Sequence, residues 1–129
     1  MKRFSLTLPS DSQYVIAARL LATSVAGIAG FNVEQIEDIR MAVGEAMNNA
    51  VLHSDCHEEV SLDVDLEDSF IQIKVSDQGT GFNPQEVEQD LDNYQGSGLG
   101  LFIIDSLMDE VDIDSNSESG TSITMRKMR

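Results

Sequence analysis

Apolar and polar positions alternate at the start of the chain: Phe4, Leu6 and Leu8 are interleaved with Ser5 and Thr7, which predicts a short half-buried strand closed by Pro9. Ser10 with Gln13 resembles a capping box and Asp11 suits a first helical turn. A helix is expected from about Asp11 to Ala26, with Val15, Ile16, Leu20 and Val25 inward and Gly27 and Gly30 marking its end. Asn32 with Gln35 offers a second cap. Behind it Ile36, Ile39, Val43, Ala46, Met47 and Ala50 recur at three- and four-residue spacing, the mark of a helix with one buried face. Gly44 inside that helix costs ~1 kcal/mol relative to Ala, which a close approach by a backbone or a ligand would explain.

The period then changes to two. Val60, Leu62, Val64 and Leu66 alternate with Ser61, Asp63 and Asp65, and Ile71, Ile73 and Val75 alternate with Gln72 and Lys74. With Glu67-Asp68-Ser69 turning the chain between them, this is a β-hairpin with one apolar face. The polar, acidic stretch from Asn83 to Gln95 reads as a lid or binding loop. After it Leu101, Ile104, Leu107 and Met108 form the inner side of a third helix. Val111 and Ile113, a turn from Asn116 to Gly120, then Thr121, Ile123 and Met125 give a closing hairpin. Five strands with alternating faces predict an α/β, two-layer sandwich: a mixed, mostly antiparallel sheet with helices on one face and water on the other, in a single domain over 1–129.

Composition narrows the partners. The net charge is −15, from 23 acidic and 8 basic residues, which disfavours nucleic acid and anionic membranes. Arg126, Lys127 and Arg129 crowd the very end, where a solvated tail is expected. One cysteine, Cys56, rules out an internal disulfide, and no apolar run reaches the length of a membrane span, so a cytoplasmic protein is expected. His53, Cys56 and His57 have metal-ligand chemistry, but the further ligands of a zinc clip are missing.

Chemistry concentrates in three places. Glu45, Asn49 and His53 are each four apart and form a second helical stripe, expected to lie well away from the buried one. It offers oxygen donors and a candidate general base, although a solvated face would carry the same residues. Five of the nine glycines fall between Gly79 and Gly100, and this tips the reading toward a nucleotide site. Gly96 to Gly100 opens a helix, so its backbone N–H groups form a candidate phosphate cradle. It is neither a P-loop, for want of the Lys-Ser/Thr pair, nor a dinucleotide fingerprint, since Leu101 stands where the third glycine belongs.

In order, the chain carries Glu45-x-x-x-Asn49-Ala50-x-x-His53, Asp77-x-Gly79-x-Gly81-Phe82, Gly96-x-Gly98-Leu99-Gly100-Leu101 and Gly120-Thr121. This series resembles the Asn box, glycine boxes and closing Gly-Thr of the GHKL ATPases, whose fold is the histidine-kinase-like (Bergerat) sandwich. The run Leu107-Met108-Asp109-Glu110-Val111 and the Glu-Ala-x-x-Asn-Ala sequence further resemble the bacterial anti-sigma-factor serine/threonine kinases of the RsbW/SpoIIAB type. The resemblance implies Glu45 as general base and Asn49 as an ATP-site residue that ligates Mg²⁺. It implies Asp77 on the adenine amino group, with Gly81 and Thr121 completing the base pocket and Gly79 among the ATP-binding residues. Phosphate would be held by Gly96, Ser97, Gly98, Leu99, Gly100 and Leu101 under a lid formed by Asn83 to Gln95.

The implied activity is phosphorylation, by Mg-ATP, of a serine or threonine of an anti-anti-sigma protein, combined with binding and inhibition of a sigma factor by a homodimer. Two other readings stay open: a nucleotide-gated binding module without phosphotransfer, and a switch kinase of the same fold acting on a scaffold protein. No Lys or Arg lies between Lys74 and Arg126, so the lid brings no cation to the phosphates, and this departure bears on turnover.

Overall fold

The computed structural model describes residues 1–54, 58–77, 97–116 and 120–129. The element order is β1 (Lys2–Pro9), a 3-10 turn (Ser12–Tyr14), α1 (Val15–Ile28), α2 (Val33–His53), β2 (Glu59–Leu66), β3 (Phe70–Asp77), α3 (Ser97–Leu107), β4 (Glu110–Asn116) and β5 (Gly120–Met128). The strands form one five-stranded sheet in the order β1-β2-β3-β5-β4. All four pairings are antiparallel, so the parallel component of the expected mixed sheet is absent among the described residues. The reason is topological. The connection from β3 through α3 delivers β4 not beside β3 but beyond β5, which slots between them.

Alternation sorts the two faces. Val60, Leu62, Val64, Ile71, Ile73, Val75, Ile123 and Met125 point inward, each 2% exposed or less. Each such burial contributes ~1.5–3 kcal/mol. In the outward row Arg3 binds Asp65 at 2.6 and 2.9 Å, and Arg126 donates to Gln72 at 2.7 Å and Glu110 at 3.4 Å. The guanidinium of Arg3 holds the Asp65 carboxyl below its ordinary value, chiefly by hydrogen bonding. On β1 only Leu8 is fully buried; Phe4 is 38% exposed, because an edge strand has a neighbour on one side only.

The helices cover the inner face. The capping box at α2 is present as expected: Gln35 N donates to Asn32 Oδ1 at 2.8 Å, and Asn32 N donates to Gln35 Oε1 at 2.9 Å. The first helix departs from expectation in two ways. Asp11, not Ser10, accepts from the Gln13 backbone N–H at 3.1 Å, and Ser10 is buried against Ser54. Ile16 and Leu20 face outward, 60% and 62% exposed, while Ala18, Ala22 and Ala26 join Val15 and Val25 inside. A stripe of alanines lets α1 approach α2 closely. At Gly44 an added Cβ would stand 2.5 Å from Arg19 Nε and 2.7 Å from its Nη2, so the close approach that explains this glycine is by a side chain of α1.

The basic C-terminus is not a solvated tail. Arg126 is engaged on the sheet, and Arg129 donates to the Ala29 carbonyl at 2.5 Å and lies over the Phe31 ring at 4.9 Å. Lys127 is drawn under the sheet, its side chain 11% exposed and its Nζ 3.0 Å from Asp38 Oδ2. Among the described residues no helix is long and apolar enough to cross a membrane.

Candidate functional site

Helix α2 carries Glu45, Asn49 and His53 on one stripe, but the stripe is not out in solvent. Asn49 is 3% exposed and Glu45 half-buried. The cause is α3, which packs along this side. A Cβ on Gly100 would be 3.0 Å from Glu45 Oε2, so glycine there is what allows the carboxylate and the first turn of α3 to meet. Both polar atoms of the Asn49 amide, Oδ1 and Nδ2, are buried and have no hydrogen-bond partner among the described residues. Leaving such a group unpaired costs ~1–3 kcal/mol, so its presence asks for a ligand. A buried amide oxygen one helical turn from a carboxylate is a donor set that fits a hard cation such as Mg²⁺.

The second half of the site lies at the ends of three strands. Asp77 ends the inward row of β3 and is 4% exposed; Thr121, its direct partner across the ladder on β5, is 3% exposed. A carboxylate and a hydroxyl therefore face the core side together, where an apolar residue would continue the pattern. Gly120, with φ 85°, takes the left-handed conformation that places Thr121 at the start of β5. Ser115, on the inward row of β4, pairs with Thr121 and stands 3.0 Å from its hydroxyl. Sequence reasoning passed over Ser115. Its signal was available, because it follows Val111 and Ile113 at the same period once the closing turn is placed.

His53 joins the two halves. Burial pushes its pKa below the ordinary value, and the negative charge of Asp77 acts in the opposite direction and less strongly. The last turn of α2 and the end of β3 are thus within electrostatic reach.

The first turn of α3 begins at Ser97, as expected, and Ser97, Gly98, Leu99 and Gly100 form it. The N–H groups of a helix's first turn have no partner within the helix, so this is the part of the segment suited to meet an anion. Leu99 turns its side chain out, 51% exposed, and Leu101 turns inward, 8% exposed, into the core. Gly79, Gly81 and Gly96, the lid from Asn83 to Gln95, and Cys56 and His57 of the zinc reading lie outside the described residues.

Comparison with known proteins gives concordant relatives. The histidine kinase-like ATPase domain pattern matches residues 8–127. A serine-protein kinase RsbW of Listeria innocua is 35% identical, over 97% of this chain and 86% of its own. The RsbW of Bacillus subtilis is 34% identical, over 95% of this chain and 82% of its own. Among solved structures, that of the RsbU and RsbW domains of a Mycobacterium tuberculosis protein superposes with a TM-score of 0.75 at 20% identity, covering 99% of this chain and 32% of that one. A blue-light activated histidine kinase domain of Erythrobacter litoralis gives 0.61 at 20% identity, over 93% and 61%. The two structures share the fold with this chain.

Proposed function

This chain belongs to the histidine kinase-like ATPase family, on the branch of the RsbW serine-protein kinases, and from that premise we propose how it acts and on what. It is an ATP-dependent serine/threonine kinase. In our reading it binds and inhibits a sigma factor and phosphorylates an anti-anti-sigma protein, working as a cytoplasmic homodimer built from a single domain.

Adenine is read by Asp77, which accepts a hydrogen bond from the amino group, with Thr121 beside it held by Ser115. The phosphates lie at the first turn of α3, where N–H groups and the helix dipole favour negative charge. Asn49 Oδ1 would hold Mg²⁺, which would offset phosphate charge. Glu45, beside Gly100, accepts the proton of the attacking serine hydroxyl.

The observation that carries this reading is the Asn49 amide, buried and without a partner among the described residues, one turn from Glu45. A structural asparagine at that depth is hydrogen-bonded as a rule; an unpaired one fits a site whose partner arrives with substrate.

The test is a pull-down from native cytoplasm with Mg-ATP, read by mass spectrometry for identity and for phosphoserine. A sigma factor together with a small serine-phosphorylated partner is the expected result. A sigma factor with no phosphorylated partner would instead mean a nucleotide-gated binding module, and a phosphorylated partner alone would mean a switch kinase of another system.

A further inference from the structure

A second polar cluster lies at the opposite end of the α2–α3 contact. Lys127, in the inward row of β5 with Thr121, Ile123 and Met125, donates from Nζ to Asp38 Oδ2 at 3.0 Å and to the Leu107 carbonyl at 2.6 Å. Leu107 is the last residue of α3, so this carbonyl is one of the acceptors a helix leaves unsatisfied at its C-terminus. A cation there also complements the helix dipole. The bond spans three elements: β5 supplies the cation, α2 the carboxylate and α3 the carbonyl.

The two ends of α3 meet α2 in opposite order. Gly100 lies against Glu45, and Leu107 is bridged through Lys127 to Asp38, so the helices run antiparallel with these contacts seven residues apart on each. The Glu45–Gly100 contact is steric: it limits approach but holds nothing in place. The Lys127 contact is attractive and directional, and it acts along the axis of α3. A displacement of α3 along that axis moves its first turn and Gly100 together.

We propose that Lys127, held by Asp38, is a positioning residue for the nucleotide's phosphates: by gripping the C-terminal carbonyl of α3 it sets where the first turn of that helix presents its N–H groups and how closely Gly100 confines Glu45. The inference rests on the assignment of phosphate to α3 and of adenine to Asp77 and Thr121. It has a specific consequence. The base site is built on β3 and β5, whose ladder Lys127 does not serve through its side chain, so the grip matters for the phosphates and not for the base.

The experiment compares ATP with adenosine, each in competition with a fluorescent ATP analogue in the presence of Mg²⁺. It uses the wild type, Lys127→Met, Lys127→Arg, Asp38→Asn and Asp77→Ala, with far-UV circular dichroism to verify folding. Lys127→Met is expected to weaken ATP about tenfold, as for loss of a hydrogen bond to a charged group, and to leave adenosine within about twofold. Lys127→Arg recovers part of the loss, because it restores a cationic donor. Unchanged ATP affinity in folded Lys127→Met overturns the proposal, and so does equal weakening of ATP and adenosine, which is what general loosening of the fold would give. If Lys127→Met does not fold, Asp38→Asn carries the same comparison, with an expected ATP loss of about threefold, since an acceptor oxygen remains but its charge does not. Adenosine binding that survives Asp77→Ala would refute the base-site assignment separately, while the ratio of ATP to adenosine affinity in Lys127→Met still measures the grip on α3.

Discussion

Two buried polar side chains beneath the same sheet are treated in opposite ways. Lys127 is a charge with partners on two helices, Asp38 and the Leu107 carbonyl. Asn49 is neutral, lies deeper, and has neither amide atom paired among the described residues. Both sit where α2 and α3 meet, one towards each end of the contact. The end that is satisfied holds the architecture together. The other end has no such partner among the described residues, which leaves its polar atoms open to a ligand. The difference marks the Asn49 end as the candidate for binding without reference to any relative.

Substitutions can break this contrast or sharpen it. The largest effect is expected from Glu45→Gln, which keeps the contact with Gly100 but removes the proton acceptor. Phosphotransfer should fall by ~10²–10⁴-fold with ATP affinity retained, measured by single-turnover kinetics and calorimetry. Equal activity in the mutant would refute the role given to Glu45. Asp38→Ala strikes the satisfied end and leaves Lys127 without its carboxylate. The half-buried setting makes the expected loss about 1–3 kcal/mol in urea unfolding, and a neutral result would show the pair to be ornamental.

Asn49→Leu should do the reverse. Replacing an unpaired buried amide with an apolar side chain of similar size should raise the stability of the nucleotide-free protein by about 1–2 kcal/mol and abolish the Mg²⁺ dependence of ATP binding. A destabilised variant would mean that the amide is already paired in solution. The smallest effect belongs to His53, whose pKa burial lowers from its ordinary 6.5. The neutral form is favoured in the fold, so the unfolded chain takes up the proton first. The stability His53 preserves above pH 6.5 is therefore lost as the pH falls towards its depressed value. His53→Gln should flatten that part of the pH–stability curve, and an unaltered slope would place its cause elsewhere.

Much of this was legible beforehand because the signals were periodic. The two hairpins follow from strict alternation, and the α2 start follows from Asn32 and Gln35. What failed did so for physical reasons. In α1 the larger side chains, Ile16 and Leu20, were expected inward, but close helix packing selects the small ones, Ala18, Ala22 and Ala26. The stripe of Glu45 and Asn49 was expected apart from the core because one helix's periodicity says nothing of a third helix arriving from fifty residues downstream. Lys127 was taken for part of a solvated tail, since charge near a terminus is usually solvated. Its inward place emerges only from the ladder with β3, where Lys127 stands opposite Ile71.

That ladder also shows what fixes the register of β5. A slip of β5 by two residues preserves the alternation of faces, but it would bring Thr121 into the place of Ile123, or Lys127 into that of Met125, in the apolar core. Such a slip would carry Thr121 about 7 Å from its place opposite Asp77 and dismantle the proposed base site. On the outer face it would take Arg126 from its place opposite Gln72, to which it donates at 2.7 Å. Ile123 and Met125, flanked on the inward row by Thr121 and Lys127, thus fix an alignment that alternation of faces alone leaves degenerate.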